Sequence, residues 1–478
     1  MNFGPYGGNC RMRLRIRILL AFAAGVVAAA LVTGIAGMAG SVAASTRYED
    51  LGLFTSVLNL VRRNYVEEVD ERDLVHGAVR GMLQDLDPHS SFLDSEAYKE
   101  MQVDTRGEFH GLGIEITKRK DGFIEVVSPI EGTPADRAGI KSRDEITSIC
   151  PTEAPADWDE DCRSTKNMTL FEAVSLMRGK KGSKIKIEIF REGFDRPEPY
   201  TIQRDVVKVV SVSGRMLEPG YAYVRIRSFQ ERTIHDLDDT LEELHGEAGD
   251  IFDGLVLDLR DNPGGLLDQA VKVADEWLTE GLVVYTQGRV DSQRQEFRAH
   301  SPGTEVQYPI VVLVNEGTAS ASEIVAGALQ DHNRALVMGV KTFGKGSVQT
   351  VYPLEGGAGL RLTTALYYTP AGRSIQEVGI SPDIPVKSVL LAAAESGATP
   401  PRLRERDLEG HFTHEEVEPD EPQAGEAPVA SDRSVDTDLQ LARALEVLKS
   451  WTYFERLKQE APPAASLQAR ASDTPDTK

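Results

Sequence analysis

Two short uncharged runs, Leu255-Val256-Leu257 and Ile310-Val311-Val312-Leu313-Val314, each pass through a glycine-containing turn into a helical pattern, at Leu266–Leu278 and Ala319–Leu329. A strand without polar alternation must be covered on both faces, and the strand-turn-helix order supplies helices to cover it. Ala335–Val340 reads as a further buried strand. Thr201–Pro385 is therefore expected to be a mixed α/β unit. Ligands of such sheets bind beyond the carboxyl ends of the strands.

The rest of the chain follows other periods. In Gly107–Gly193, Leu112, Ile114 and Ile116 alternate, as do Ile185, Ile187 and Ile189, around one short helical pattern at Leu170–Met177. That stretch reads as a small β-rich domain. Earlier, Leu53, Val57, Leu60 and Val61, then Leu74, Ala78, Met82 and Leu83, keep helical spacing within Leu51–Met101. Arg404–Thr437 is rich in Glu, Asp, Pro and Ala and is expected to be a disordered linker. Asp438–Gln459 then offers an amphipathic helix with Leu441, Leu445, Leu448 and Phe454 as docking residues, and Ala461–Lys478 is expected to be loose.

Arg11, Arg13, Arg15 and Arg17 precede an apolar stretch, residues 18–44, that ends in Val42-Ala43-Ala44. This is the order of a secretory leader, and the stretch is also long enough to span a bilayer as an uncleaved anchor. Export is expected, with the protein periplasmic and either soluble or tied to the inner membrane. Cys10 sits in the leader, so Cys150 and Cys162, flanking the polar Pro151–Asp161 insert, are the pair left in the exported part. An oxidising compartment permits a bridge between them, worth about 3 kcal/mol by loop entropy; two unpaired thiols are the alternative. With 53 Lys+Arg against 75 Asp+Glu and a net charge of -22, a dedicated nucleic-acid binder is excluded. No cysteine pair has zinc-site spacing.

The two glycine turns are the places for chemistry. One runs Leu257-Asp258-Leu259-Arg260-Asp261-Asn262-Pro263-Gly264-Gly265, the other Val314-Asn315-Glu316-Gly317-Thr318-Ala319-Ser320-Ala321-Ser322-Glu323. A serine at a helix N-terminus can present its hydroxyl while neighbouring amides meet a developing oxyanion; the plainer reading is helix capping by Ser320 or Ser322. No G-x-S-x-G elbow occurs. His332 follows the helix but lies in a loop. Lys345, within Thr342-Phe343-Gly344-Lys345-Gly346-Ser347-Val348-Gln349, has Phe343 and Val348 to desolvate it, which lowers a lysine pKa toward that of a general base. Gly339 through Lys345 nearly spells a nucleotide-binding loop, but Gly346 stands where its Ser/Thr belongs.

These two segments, together with Leu86-Asp87-Pro88-His89-Ser90-Ser91, Tyr368–Gln376 and Gly379–Ile384, resemble the carboxyl-terminal processing peptidases, tail-specific serine proteases, over roughly Leu51–Val386. The resemblance implies Ser320 as nucleophile, Lys345 as general base and Gln349 as the residue orienting the lysine. The oxyanion hole would combine Ala321 N–H with that of Gly264 or Gly265, with Ser322 in support and no metal or cofactor. It also identifies the β-rich domain as a PDZ domain whose Gly111-Leu112-Gly113-Ile114 loop holds a substrate's C-terminal carboxylate, and Arg178 as a candidate relay of peptide occupancy. Arg143 stands where the family usually has glycine. The implied fold is a multidomain α/β chain, a mixed α/β Ser/Lys protease core with an inserted β-rich PDZ domain and an N-terminal helical region. Its divisions are leader 1–44, helical region 45–104, PDZ 105–195, core 196–390, acidic linker 391–437, helix 438–460 and tail 461–478. Expected partners are proteins with apolar C-terminal tails, an adaptor or regulator, and a second copy of the chain. A catalytically silent PDZ adaptor is the alternative function.

Overall fold

The computed structural model describes residues 50–118, 122–151, 161–249, 252–300, 307–387, 403–413 and 438–460. The leader with its arginines, Cys10, most of the 151–161 insert, and the segments 414–437 and 461–478 lie outside these residues.

The chain divides into two compact units, Met1–Met82 and Leu83–Lys478. In the first, helix α1 (50–64) precedes α2 (Glu71–Gln84), and Arg62 pairs with Glu71 at 2.8 Å. The apolar residues Leu53, Phe54, Val57 and Leu60 of α1 are exposed.

The second unit begins with β1 (Ser91–Leu93) and α3 (Ser95–Arg106), the latter capped by Asp94 and ended by Gly107 in the left-handed region. The small domain follows. Strands β2 (Glu108–Gly111), β3 (Ile114–Lys118), β4 (Ile124–Pro129) and β5 (Glu145–Pro151) alternate with the one-turn helix α4 (Pro134–Arg137). Then come β6 (Arg163–Ser164), α5 (Leu170–Met177), β7 (Lys184–Phe190), β8 (Glu198–Gln203) and β9 (Asp205–Lys208). The sheet runs β3-β4-β5-β7-β8, with β6 beside β5 and β9 on β2. Its core is the alternating side, where Ile185, Ile187 and Ile189 are buried against Ile124, Val126 and Ile146. Strand β3 is an edge strand, open to addition of a further strand. Arg143 sits at φ 69, in the region glycine usually occupies. Cys150 and Cys162 are joined by a disulfide.

The expected boundary at 195 needs correction. It falls inside the β7–β8 hairpin, where Lys184 to Ile189 pair with Gln203 to Glu198. The polar Gly193-containing stretch is a hairpin turn, not a linker, so the domain closes only with β9.

The large domain has β10 (Val212–Glu218), β11 (Tyr221–Ile226), α6 (Thr233–Ala248), β12 (Gly254–Asp258), α7 (Leu267–Asp275), β13 (Leu282–Gly288) and β14 (Gln295–Arg298). It continues with β15 (Ile310–Val314), α8 (Ala321–Asp331), β16 (Leu336–Gly339), β17 (Ser347–Pro353), β18 (Gly359–Tyr368) and β19 (Ile384–Pro385). One sheet is ordered β10-β11-β12-β15-β16-β19, parallel except at the β10 edge. Helices α6, α7 and α8 cover one face, with Leu255, Leu257, Val312 and Val314 buried beneath them. The other face carries Val256, Val311 and Leu313. Strands β12 and β15 are thus buried throughout, as their uninterrupted apolar sequence requires. A second sheet runs β1-β18-β13-β14 with β17 on β18, so the Leu86–Ser91 motif ends against the last long strand of the core.

Helix α9 (Leu439–Glu460) closes the second face. Ala444 and Leu448 are its buried residues, with Leu441 and Leu445 packed beside them, but Phe454 is exposed. Phe454 lies beyond Leu448, the last buried apolar residue of the described part of α9, and is exposed, so it is not a docking residue. The expectation of disorder from residue 404 onward also fails for residues 403–413. They form a short turn, Glu405–Asp407, whose Glu405 is fully buried.

Candidate active site

The turns after β12 and β15 are stitched together by polar atoms that have no strand partner. Asn262 is fully buried; its side chain donates to Ile226 O and accepts from Gly264 N, while its carbonyl accepts from Ala319 N and the Ser322 hydroxyl. Thr318 Oγ1 donates to Leu259 O, and the Asn315 side chain spans to Asp261. The result is a close approach that only glycine permits: a Cβ on Gly264 would stand 2.8 Å from Ser320 Cβ and 2.9 Å from Ala321 N.

Ser320 immediately precedes α8 with φ 56 and ψ −116. A non-glycine residue there stores on the order of 1–3 kcal/mol of strain, tolerated where surrounding bonds over-determine it. Ser322, in contrast, is wholly buried with its hydroxyl bonded to Asn262 O, whereas the Ser320 Cβ stands against the turn of Gly264. Ala321 stands at the first position of α8, where a backbone N–H has no helical acceptor. Gly264 N–H is occupied by Asn262 Oδ1, while Gly265 N–H makes no bond among the described residues.

What holds Ser320 also holds Lys345. The Glu323 carboxylate is fully buried and accepts four hydrogen bonds: from Ser320 N at 2.8 Å, Thr342 Oγ1 at 2.5 Å, Gly344 N at 2.8 Å and Lys345 N at 2.9 Å. Burial pushes the Glu323 carboxyl up to about 7, against the opposing pull of those donors. The 342–346 loop then runs into β17, not into the helix a nucleotide loop would need. Gly346 is required because a Cβ there would stand 2.3 Å from Gln376 N. Burial is the main cause lowering the Lys345 pKa, and the charge of Arg361 adds to it; Glu405, Glu323 and Asp87 oppose.

Gln349 is placed differently from expectation. A register shift between Val348 and Gln349 breaks the simple alternation, and Lys345 lies ahead of the strand. The Gln349 amide donates to Ser347 Oγ at 3.0 Å and Thr363 Oγ1 at 3.4 Å, not to Lys345. Thr363 passes the chain on to Asp87, whose carboxylate is also held by Ser90 and His89. Burial raises the Asp87 carboxyl, but these donors outweigh it and keep it below the usual range. His332 bonds Leu282 O at the far end of α8 and takes no part.

In the small domain, Gly111, Leu112, Gly113 and Ile114 form the turn into the edge strand β3, beside Thr133, which donates to Gly113 O. Gly113 has φ 77 and no space for a side chain, since a Cβ would meet Thr133 Cβ at 2.3 Å. Arg178 ends α5, lies over the Phe109 ring at 5.0 Å and pairs with Glu100 of α3 at 3.7 Å. It ties the groove helix to α3 and makes no contact with Ser320 or Lys345.

The structure adds residues that the sequence reading passed over. Glu323 had a visible signal, because Ser followed three residues later by Glu marks a capping box. That pattern announces one bond, not four. Asp87, Thr363 and Glu405 carried no such local signal. Glu323→Ala leaves up to four buried donors unpaired at about 1–3 kcal/mol each, so a loss of at least about 3 kcal/mol is expected in denaturant titration. Because the folded pKa of about 7 exceeds the ordinary 4.5, the advantage of wild type over Glu323→Gln should be full below pH 4.5 and disappear as pH rises through about 7. A flat difference between pH 4 and 8 contradicts this.

Residues 220–386 match the family model of peptidase family S41, residues 100–190 that of the PDZ domain, and residues 32–97 that of the activating protease CtpB N-terminal domain. A carboxy-terminal-processing protease of Bartonella bacilliformis is 42% identical over 435 residues, which cover 91% of this chain and 96% of that protein. The carboxy-terminal processing protease CtpA of Bacillus subtilis is 36% identical over 363 residues, 75% of this chain and 74% of its own. A carboxyl-terminal-processing protease of Synechocystis is 37% identical over 343 residues, 70% and 77% respectively.

Proposed function

Since the chain belongs to peptidase family S41, as a PDZ-bearing carboxy-terminal processing serine protease, we propose that it cuts proteins near their C-termini through a Ser320 acyl-enzyme with Lys345 as general base. The observation that carries this reading is the shared anchor: one buried carboxylate, Glu323, fixes the backbone of both Ser320 and Lys345.

In the first step the neutral Lys345 amine takes the Ser320 hydroxyl proton as Oγ attacks the scissile carbonyl. The oxyanion is met by Ala321 N–H and, because Gly264 N–H is already bonded, by Gly265 N–H. Collapse breaks the C–N bond, and the leaving amine receives the proton from Lys345. Water, deprotonated by Lys345, then attacks the ester, and Ser320 regains its proton. Gln349 is assigned to orient the lysine once substrate has tightened the site, since catalytic hydrogen bonds are often unformed before binding.

The PDZ domain would take the substrate's last residues as an added strand on β3, with the terminal carboxylate at Gly111–Ile114 and an apolar tail against α5. Arg178 is suited to report that occupancy to α3. The basic cluster and apolar leader support export and attachment to the inner membrane, and the exposed apolar side of α1 supports pairing with a second copy.

The test is to digest an unfolded protein with an apolar tail, and the same protein with its C-terminal carboxylate amidated, and to map fragments by mass. Cleavage of the free-tail form should be at least tenfold faster; equal rates contradict tail capture. Gly113→Ala should weaken binding of a free tail peptide by at least tenfold in calorimetry, because the turn must open to admit a Cβ. Unchanged affinity removes that loop from the carboxylate site.

A further inference from the structure

Residues 403–413 bond the Lys345 loop at Phe343, next to the amides that Glu323 holds. The loop's backbone is held at three positions: Phe343 O accepts from Glu405 N at 3.3 Å, Gly344 O accepts from Glu377 N at 2.9 Å, and Gly346 N donates to Gln376 Oε1 at 3.0 Å. Gln376 is itself set by Glu405. Its Nε2 donates to Glu405 Oε1 at 3.0 Å and to Phe412 O at 3.2 Å, both within the 403–413 segment. A side-chain amide has one accepting and one donating end, so two acceptors on one side turn the oxygen toward Gly346. The ring of His89 lies 2.8 and 2.9 Å from the two Glu405 oxygens, and the His89 backbone is fixed in turn by Asp87 and Arg361. His411 completes the closure, reaching Glu377 at 2.5 Å while donating to Leu408 O.

A fully buried carboxylate from so highly charged a stretch needs specific partners, since an unpaired one costs several kcal/mol. The partners of Glu405 are Phe343 of the lysine loop, bonded through the Glu405 backbone, Gln376 that bonds the same loop at Gly346, and His89 of the segment ahead of β1. We propose that Glu405 is a positioning residue of the active site, holding the Lys345 loop directly through Phe343 O and indirectly through Gln376.

This rests on Lys345 being the general base. Four charged groups bear on its ammonium: Arg361 from β18 disfavours it together with burial, while Glu405, Glu323 and Asp87 favour it. Burial pushes Glu405 up, but bonds from His89 and Gln376 outweigh this and keep it below the usual carboxylate range, hence ionised near neutrality.

The experiment compares full-length wild type, Glu405→Ala, Glu405→Gln and Lys345→Ala on one unfolded protein substrate across pH, with folding followed by circular dichroism. Glu405→Ala should lower kcat at least tenfold with KM within twofold, because the substrate's tail site lies in another domain. Glu405→Gln keeps an acceptor for Gln376 and should recover most of kcat at high pH. Its acidic limb should move to lower pH by about half a unit or more, because one anion favouring the ammonium is gone. An unmoved acidic limb in folded Glu405→Gln, or kcat of Glu405→Ala within twofold of wild type, overturns the proposal. If Glu405→Ala does not fold, the limb of Glu405→Gln decides. Activity retained by Lys345→Ala strikes the general-base assignment itself, whereas an inactive Lys345→Ala beside wild-type-like Glu405 variants strikes only the role of Glu405.

Discussion

Ser320→Ala loses turnover to background, a fall of about 10⁴-fold or more, while fold and tail-peptide affinity stay as in wild type. The size follows from covalent catalysis: without Oγ there is no acyl-enzyme, and only the oxyanion donors and substrate positioning remain. The fold should survive because the hydroxyl makes no cap bond, and what anchors the residue is its backbone N–H on Glu323. The left-handed φ of 56 is as costly for alanine as for serine, so the backbone contribution to stability hardly changes. Mass mapping after long incubation with an unfolded, tailed protein is the check. Fragments at the wild-type rate would place the nucleophile elsewhere, and Ser322→Ala would then be compared. Ser322 is expected to matter for stability instead, because its hydroxyl is spent on Asn262 O.

Lys345→Met is the second large effect, and its two consequences have opposite signs. Activity should fall by about 10³-fold or more, since general-base assistance and serine activation vanish together. Stability near neutral pH should hold or rise. Burial first, then Arg361, depresses the folded pKa of Lys345 below the ordinary 10.5. A depressed pKa contributes stability that is present above the unfolded value and lost as pH falls through the folded one. Below its depressed folded pKa, wild type therefore carries a disfavoured buried ammonium that methionine lacks. Wild-type kcat/KM should rise with pH as the amine loses its proton, up to a plateau above the folded pKa. Thermal midpoints and pH profiles measure both: a strongly destabilised Lys345→Met, or a wild-type profile that falls from pH 6 to 9, contradicts this account.

How much could be read beforehand differs from one residue to the next. The strands β12 and β15 were legible because a run such as Ile310–Val314 admits no solvent face, and β7 because Ile185, Ile187 and Ile189 alternate. Gly264 was legible as part of a glycine turn, whereas the close approaches themselves came from the structure: Ala321 N at Gly264 and Gln376 N at Gly346. Phe454 misled because helical spacing ranks apolar residues by phase, whereas the length of the sheet beneath decides where docking stops. The present partners of Gln349, Ser347 and Thr363, were not legible because a register shift in β17 breaks the alternation at that point. Residues 403–413 misled because the highly charged composition they share with the rest of the expected linker predicts what a segment cannot bury alone, not what a preformed cleft will accept.

The sequence alone determined which segments must be sheltered from water, where the backbone must turn without a side chain, and which turns carry serines and a lysine chemically suited to acyl transfer. Those properties are local: hydrophobicity, the missing Cβ and the functional group belong to each residue. Tertiary structure alone decided that Glu323 would gather donors from Ser320, Thr342, Gly344 and Lys345, and that Glu405 would meet His89 and Gln376. A buried carboxylate is stable only where distant segments bring donors to it. That convergence is a property of the assembled fold and leaves no periodic trace in the chain.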